Sequence, residues 1–337
     1  MVKQTERDHQ IQLFLDTQGW QGAIRQKISG DASFRQYERL HRNNKPPAIL
    51  MDAPPPKERV DQFLGIAKIL SNMGVSVPQF YAVDQQQGLI IMEDFGDNTY
   101  TRLLQSGYPE KDLYQLAVDL LIHLYQQSTA NIISLLPDFD HLKVLNQVQV
   151  FLDWYWPEIY QEQVQQHVRH DFISLWQKMF DDFRVGKHAL THFDFHVDNL
   201  MLLPNRAGIK ACGLLDFQDA VRGSAVFDCM SLLDDARRDV PRPMAHQLKK
   251  YFLDTFPKNE REYLNQSYAF WGAQRHTRIL GTFIRLYRRD NKPGYLQFIP
   301  RVWGQLQTTL KEPHMRPLQQ WFANYFPEPK QKVEKHV

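Results

Sequence analysis

Between Thr191 and Asp219 the chain reads THFDFHVDNL, a short spacer, and GLLDFQD. Asp194 stands two residues after His192. Asn199 follows five residues later, and Asp216, framed by Leu214, Leu215 and Phe217, comes 17 residues after that. These residue types at this spacing are what phosphoryl transfer requires. One carboxylate meets an acceptor hydroxyl, while an amide oxygen and a second carboxylate offer hard oxygens to magnesium against nucleotide phosphates. A hydroxyl is a poor nucleophile, and positioning with charge neutralisation activates it without a covalent intermediate. HVDN alone would be ordinary turn material; the three residues together form the signal.

A site of this kind needs a scaffold, and the composition allows one. The 337 residues are 43% apolar and 12% aromatic, enough for a substantial core, and the length points to two domains or lobes. A net charge of +2 leaves no electrostatic footprint for nucleic acid or a membrane surface. Two cysteines, Cys212 and Cys229, do not make a disulfide framework, which points to a reducing compartment. The polar opening MVKQTERDHQ does not read as a signal peptide, and no apolar run approaches the ~20 residues of a membrane span. The expected location is the cytoplasm, and the expected state a monomer or weak dimer.

Residues 11–20 suggest a short amphipathic helix, followed by strand-like pieces GAIRQKI, FRQYERLHR and PAILMDA. A small-residue turn, SGDAS (Ser29, Gly30, Asp31, Ala32, Ser33), separates the first two pieces. DAPPP breaks structure before a helical pattern in which Val60, Phe63, Leu64, Ala67 and Leu70 face inward, ending at Gly74. QFYAVDQQQGLIIMEDFG reads as a hairpin. Beyond Asp97 helical patterns dominate (111–127, 142–183 and from Val226 onward), interrupted by two short apolar runs, Leu200 to Leu203 and Cys212 to Phe217, that read as a β-hairpin. The expected architecture is α+β with two lobes of protein-kinase type. It comprises a β-rich N-lobe with one main helix (1–92), a hinge (93–98), a helical C-lobe with catalytic loop and acceptor pocket (99–325), and a polar tail (326–337).

The HxDxxxxN and LDFQD arrangement resembles the aminoglycoside phosphotransferase and choline kinase superfamily. SGDASFRQYERL, AILMDAPPP, IIMEDFGD, GLLDFQDAVRGSAVFDCMSLLDDARRDV and QRHTRILGTFIRLYRRDNKPGYL resemble its bacterial cell-wall amino-sugar kinase branch. The likeness runs from about residue 29 to about residue 305. It implies ATP and Mg2+ as cofactors and phosphorylation of the anomeric (C1) hydroxyl of N-acetylmuramate or N-acetylglucosamine during peptidoglycan recycling. It also implies Asp194 as catalytic base, with His192 and Asp228 bracing the loop, and Asn199 and Asp216 as magnesium ligands. Ser29, Gly30, Asp31, Ala32 and Ser33 would cover the phosphates through backbone N–H groups. Glu93, Asp94 and Phe95 would meet the adenine. Two positions depart from the superfamily: Phe193 replaces a usual glycine, and Met51 stands where the third strand usually carries a phosphate-pairing lysine. Arg35 and Lys57 are the candidate replacement cations.

Plainer readings stand beside these. Asp198 braces the loop or is solvated, His196 contacts substrate or is a packed imidazole, and Asp219 approaches substrate or is structural. The run DDARRD, with Asp234, Asp235, Arg237 and Arg238, is a solvated helical face or a sugar and phosphate contact. The stretch from Arg275 to Arg289 has helical spacing, with Ile279, Phe283 and Leu286 packing inward; its arginines suit a wall facing an anionic ligand. N-acetylmuramate carries a lactyl carboxylate, which makes His276, Arg278 and Arg285 substrate candidates. Trp154, Trp156 and Trp176 read as core. The alternatives to an amino-sugar kinase are a kinase for another small hydroxyl compound (aminoglycoside, choline or homoserine) and a catalytically weak nucleotide-binding module. The arginines disfavour polycationic acceptors.

Overall fold

The computed structural model describes residues 2–28, 35–56, 58, 60–183 and 188–327. SGDAS and Lys57 therefore lie outside the described residues. Nine strands are present among the described residues: β1 Ile24–Ile28, β2 Gln36–His41, β3 Ala48–Asp52, β4 Phe80–Asp84, β5 Leu89–Glu93, β6 His188–Thr191, β7 Leu200–Leu202, β8 Cys212–Leu214 and β9 Val221–Ser224. The first five form one antiparallel sheet in the order β1-β2-β3-β5-β4. β3 and β5 are central and buried on both faces (Leu50, Met51, Leu89, Ile90, Ile91), which is why AILM and LIIM are unbroken apolar runs rather than alternations.

The chain forms two compact units. The first comprises Met1–Leu120 with Val197–Asp219. Its leading helix spans Val2–Thr17, longer than the ten residues expected, and sets Ile11, Phe14 and Leu15 against Trp20, Leu40, Ala48, Leu50, Leu89 and Ile91. Each such fully buried large side chain contributes about 1.5–3 kcal/mol. The helix Val60–Asn72 buries Val60, Phe63, Ile66, Ala67, Ile69 and Leu70; Leu64, expected inward, is half-buried, and Ile66 and Ile69 complete the stripe. The expected boundary at 93–98 does not match this partition. The β7–β8 hairpin joins the first sheet's unit because Leu202 N–H donates to Asn98 O at 2.8 Å and Leu214 N–H to Ser76 O at 2.8 Å.

The second unit comprises Leu121–His196 with Ala220–Val337. β6 pairs with β9, a short sheet that the sequence reading did not anticipate. The helices His141–Val150, Gln166–Phe183, Arg242–Asp254, Lys258–Asp290, Ile299–Thr309 and Arg316–Tyr325 surround an aromatic core. Within the helical patterns expected over 142–183, a π-helical turn, Phe151–Tyr155, lies two residues before Pro157. Proline has no N–H to donate to the Asp153 carbonyl, so a regular α-helix cannot pass through this point. The turn packs backbone to backbone on the long helix Lys258–Asp290: a Cβ at Gly281 would lie 2.3 Å from Val150 O. Phe326, placed in the polar tail by sequence, is buried, with its ring stacked on Trp303 at 5.7 Å. Trp156 and Trp176 are core, as expected. Cys212 and Cys229 are free and buried. Among the described residues no helix is long and apolar enough to cross a membrane.

Candidate active site

In the second unit, the segment after β6 carries His192, Phe193, Asp194 and His196. Asp228, in the helix Phe227–Leu233, clamps its backbone: Asp228 Oδ2 accepts from His192 N–H at 2.6 Å and Oδ1 from Phe193 N–H at 3.0 Å. Burial pushes the Asp228 carboxyl up to about 7 against the opposing pull of those two N–H donors. The buried His192 ring meets Phe195 edge-on at 5.7 Å.

Phe193 has φ +77°, a left-handed conformation that glycine adopts freely and a phenylalanine at a cost of about 1–3 kcal/mol. The loop backbone is therefore of the glycine type although the residue is not. Its ring is what holds it there. It stacks on Phe227 at 5.1 Å and tilts against Phe139 at 5.0 Å, and the Arg278 guanidinium lies over it at 5.2 Å.

The Asp194 side chain is half-exposed and opens into a cavity of about 430 Å³. Burial of its carboxylate works against ionisation. The hydrogen bond and charge of His196, followed by Arg275 and Arg278, outweigh that and hold Asp194 well below the usual carboxylate range. His196 Nε2 lies 3.3 Å from Asp194 Oδ1 and 3.2 Å from Arg237 Nη1. One ring nitrogen either donates to the aspartate or accepts from the arginine, so the tautomer decides which contact is a hydrogen bond. His196 is buried and also lines the cavity.

Arg237 and Arg278 line the same cavity; His276 does not. His276 is fully buried, and burial lowers its imidazole to about 3. It sits about 100° around the helix from Arg275, facing away from the cavity. Arg275, from the arginine stretch read as a wall facing an anionic ligand, and Asp235, read as a solvated face or a sugar and phosphate contact, are both buried and both line the cavity. The DDARRD run is no helical face: the helix ends at Leu233, and Asp235 then turns inward, accepting from Arg237 N–H at 2.7 Å.

The first unit carries the remaining candidates. Asn199 directly precedes β7, and Asp216 follows β8 by two residues. The pairing of Leu200 with Leu214, and of Leu215 N–H with Asn199 O at 3.0 Å, brings both to the same end of one hairpin. Asp216 has φ +55° and an exposed carboxylate that accepts from Gln218 Nε2 at 2.9 Å. Gln218 also donates to Asp219 at 3.3 Å, giving the exposed Asp219 a place in this turn. Asp198 accepts a hydrogen bond from Thr101, the bracing role expected of it. One amide and one carboxylate suit Mg2+, which takes few protein ligands beside phosphate and water; no group of three or more acidic, His or Cys residues that could hold a metal occurs among the described residues.

Met51 is fully buried, paired with Tyr37 and Ile90, so a lysine there would be stripped of water. Arg35 lies instead 3.0 Å from Glu58, with its guanidinium 5.7 Å from the Phe63 ring. Asp216 and Arg35 both act electrostatically on Tyr37, so the three share a neighbourhood. In the segment expected to meet the adenine, Glu93 N–H donates to Gln79 O at 2.8 Å, and the Glu93 side chain pairs with Arg206. Asp94 pairs with Arg39 at 2.6 Å. Phe95 covers Gly213, where a Cβ would lie 2.8 Å from its ring.

The two units thus carry, each by itself, residue types that phosphoryl transfer uses: an aspartate facing a cavity on a backbone-clamped loop, and an Asn and Asp pair with oxygen donors suited to magnesium. The chain belongs to the phosphotransferase enzyme family, whose model matches residues 25–263. It is 33% identical over 361 residues to the N-acetylmuramate/N-acetylglucosamine kinase of Caulobacter vibrioides, covering 97% of this chain and 99% of that protein. It is 31% identical to the N-acetylmuramate/N-acetylglucosamine kinase of Pseudomonas aeruginosa, with 88% and 87% covered. Among solved structures, the GDP complex of wild-type aminoglycoside 2'-phosphotransferase-IIIa superposes with a TM-score of 0.56 at 14% identity, covering 88% of this chain and 95% of that one. Choline kinase from Cryptosporidium parvum gives 0.58 at 12% identity, covering 90% and 94%. These structures share the α+β, protein-kinase-like fold.

Proposed function

We propose that the protein transfers the γ-phosphoryl group of ATP to the anomeric hydroxyl of an N-acetylated amino sugar, N-acetylmuramate or N-acetylglucosamine. The observation that carries this reading is the ionised Asp194 at the wall of a cavity lined by both guanidiniums and apolar side chains. Its volume, about 430 Å³, lies within the ordinary range of small-molecule sites. In the reaction the C1 hydroxyl oxygen forms the new bond to the γ-phosphorus, the bond from that phosphorus to the bridging oxygen breaks, and ADP leaves. The hydroxyl proton passes to Asp194. The carboxylate orients the hydroxyl and takes the proton late, which suits a loose transition state.

Asn199 and Asp216 are the residues that would hold Mg2+, which neutralises phosphate charge when bound. Arg35, braced by Glu58, is the cation we assign to the phosphates in place of the missing strand lysine. The family resemblance and the relatives' activity support the amino-sugar acceptor, and a need for ATP supports a cytoplasmic location. The four arginines of the cavity disfavour aminoglycosides and choline, which are cationic.

The test is incubation with Mg-ATP and each amino sugar, or kanamycin, with detection of sugar phosphate by mass spectrometry and Asp194→Ala as control. An acid-labile 1-phosphate on an amino sugar, lost in the variant, is expected. Phosphorylated kanamycin with neither amino sugar modified would overturn the assignment.

A further inference from the structure

Four guanidiniums (Arg237, Arg275, Arg278 and Arg285) and two carboxylates (Asp194 and Asp235) line the cavity. The carboxylates have local partners: Asp235 accepts from Arg237 N–H, and Asp194 faces His196. Three of the guanidiniums are underused. Arg275 is 4% exposed, and its Nε and Nη1 have no hydrogen-bond partner among the described residues; neither do the buried Nε atoms of Arg278 and Arg285. Burial lowers the pKa of both Arg275 and Arg278, so the protein holds these charges against a desolvation penalty. A buried donor without an acceptor is costly, and charged donors are the costliest. All three project from one stripe of the helix Lys258–Asp290, spaced three and seven residues apart. Ile279, Leu286 and Tyr295 line the same cavity, giving it an apolar side.

Resting on the kinase reading above, we propose that Arg275, Arg278 and Arg285 form a carboxylate subsite that takes the lactyl group of N-acetylmuramate, and that Phe193 is the positioning residue that sets Arg278 within it. The acid then supplies the acceptors that the three arginines lack, and its methyl group meets the apolar side. Phe193 is held in its left-handed conformation by Phe139 and Phe227, so its ring is a fixed platform under Arg278. On this view the aromatic residue in place of the superfamily's glycine serves acceptor selection and is not a lesion in the catalytic loop.

The test reads a ratio, kcat/KM for N-acetylmuramate over that for N-acetylglucosamine, because any effect of these arginines on Asp194 is common to both sugars and cancels. Arg278→Met and Arg285→Met should each lower the ratio about 10- to 100-fold, the loss of a charge-assisted hydrogen bond, mainly through KM for the acid. Phe193→Leu should lower it in the same direction, and Phe193→Tyr, which keeps the ring face, should restore it. Arg285, half-buried at the cavity edge, keeps the test open should Arg278→Met fail to fold. Phosphorylation of both sugars with a ratio unmoved by Arg278→Met and Arg285→Met overturns the subsite alone. A ratio that falls in the arginine variants but not in Phe193→Leu overturns the role of Phe193. Absence of phosphate on either sugar overturns the kinase reading and the subsite with it.

Discussion

Gly281→Ala is expected to destabilise the protein although it removes a glycine from the middle of a helix. In an exposed helix interior the exchange is favourable by about 1 kcal/mol. Here the added Cβ would lie 2.3 Å from Val150 O, 2.4 Å from Val150 C and 2.6 Å from Phe151 N. All three are backbone atoms of the segment entering the π-helical turn, so no side-chain rotation relieves the overlap. Reaching ordinary van der Waals distance requires the two segments to part by about 1 Å. Overpacking of that kind costs about 1–3 kcal/mol, and with three backbone atoms involved the upper end applies. The net loss is then about 1–2 kcal/mol, a fall in Tm of roughly 1–3 °C for a chain of this length. Arg278 and Arg285 lie three residues before and four after Gly281, on the cavity side of the same helix. A 1 Å displacement there should raise KM for the amino sugar roughly tenfold. Thermal melting and initial-rate kinetics on the purified variant read both effects. A Tm at or above that of the unaltered protein refutes the packing argument; a lower Tm with unchanged KM refutes its link to the acceptor cavity.

Asp194→Asn should reduce kcat about 10²- to 10⁴-fold with the fold intact by circular dichroism; retention of more than a tenth of the rate would remove Asp194 from its role. Because the folded state depresses the Asp194 pKa, its ionisation stabilises the fold above the ordinary carboxylate range, and that contribution is lost as pH falls through the folded value. The rate should accordingly persist into mild acid, and His196→Ala should move the acid limb of the kcat profile upward; an unmoved limb would count against the His196 contact. Asp228→Ala leaves two buried backbone N–H groups without acceptors and should cost about 2–6 kcal/mol, read by urea unfolding. Phe193→Gly should be more stable than Phe193→Ala by about 1 kcal/mol, since both lose the ring but only alanine keeps the left-handed strain.

What the sequence made legible was what local pattern encodes. β3 and β5 are visible because buried central strands are unbroken apolar runs, and the Val60–Asn72 helix because its apolar residues recur at helical spacing. Asp194, Asn199 and Asp216 stood out as candidates from residue type and interval. β6 and β9 were not: HALT and VRGS are four-residue strands with no alternation to mark them. The cavity wall was only half legible. Arg278 and Arg285 stood out as basic residues on a helix, but which neighbour shared their face depended on how the helix turned. Arg275 and His276 are adjacent in sequence, yet one lines the cavity and the other is buried away from it. For Asp235 the sequence left a solvated helical face and a sugar or phosphate contact both open, because the pattern does not show that the helix stops at Leu233.

Asn199 and Asp216 are separated by a loop whose length their chemistry does not set. Strand pairing returns the chain beside Asn199 at Leu215, whatever lies between Leu203 and Ala211. The 17-residue interval is therefore no ruler. What has to be preserved is parity: slipping β8 by one residue would turn Asp216 to the opposite face, whereas residues added at the loop tip would leave the two oxygen donors where they are. A chain with a quite different interval could carry the same pair. Its mark would be two short apolar strands, with an asparagine just before the first and an aspartate two residues past the second.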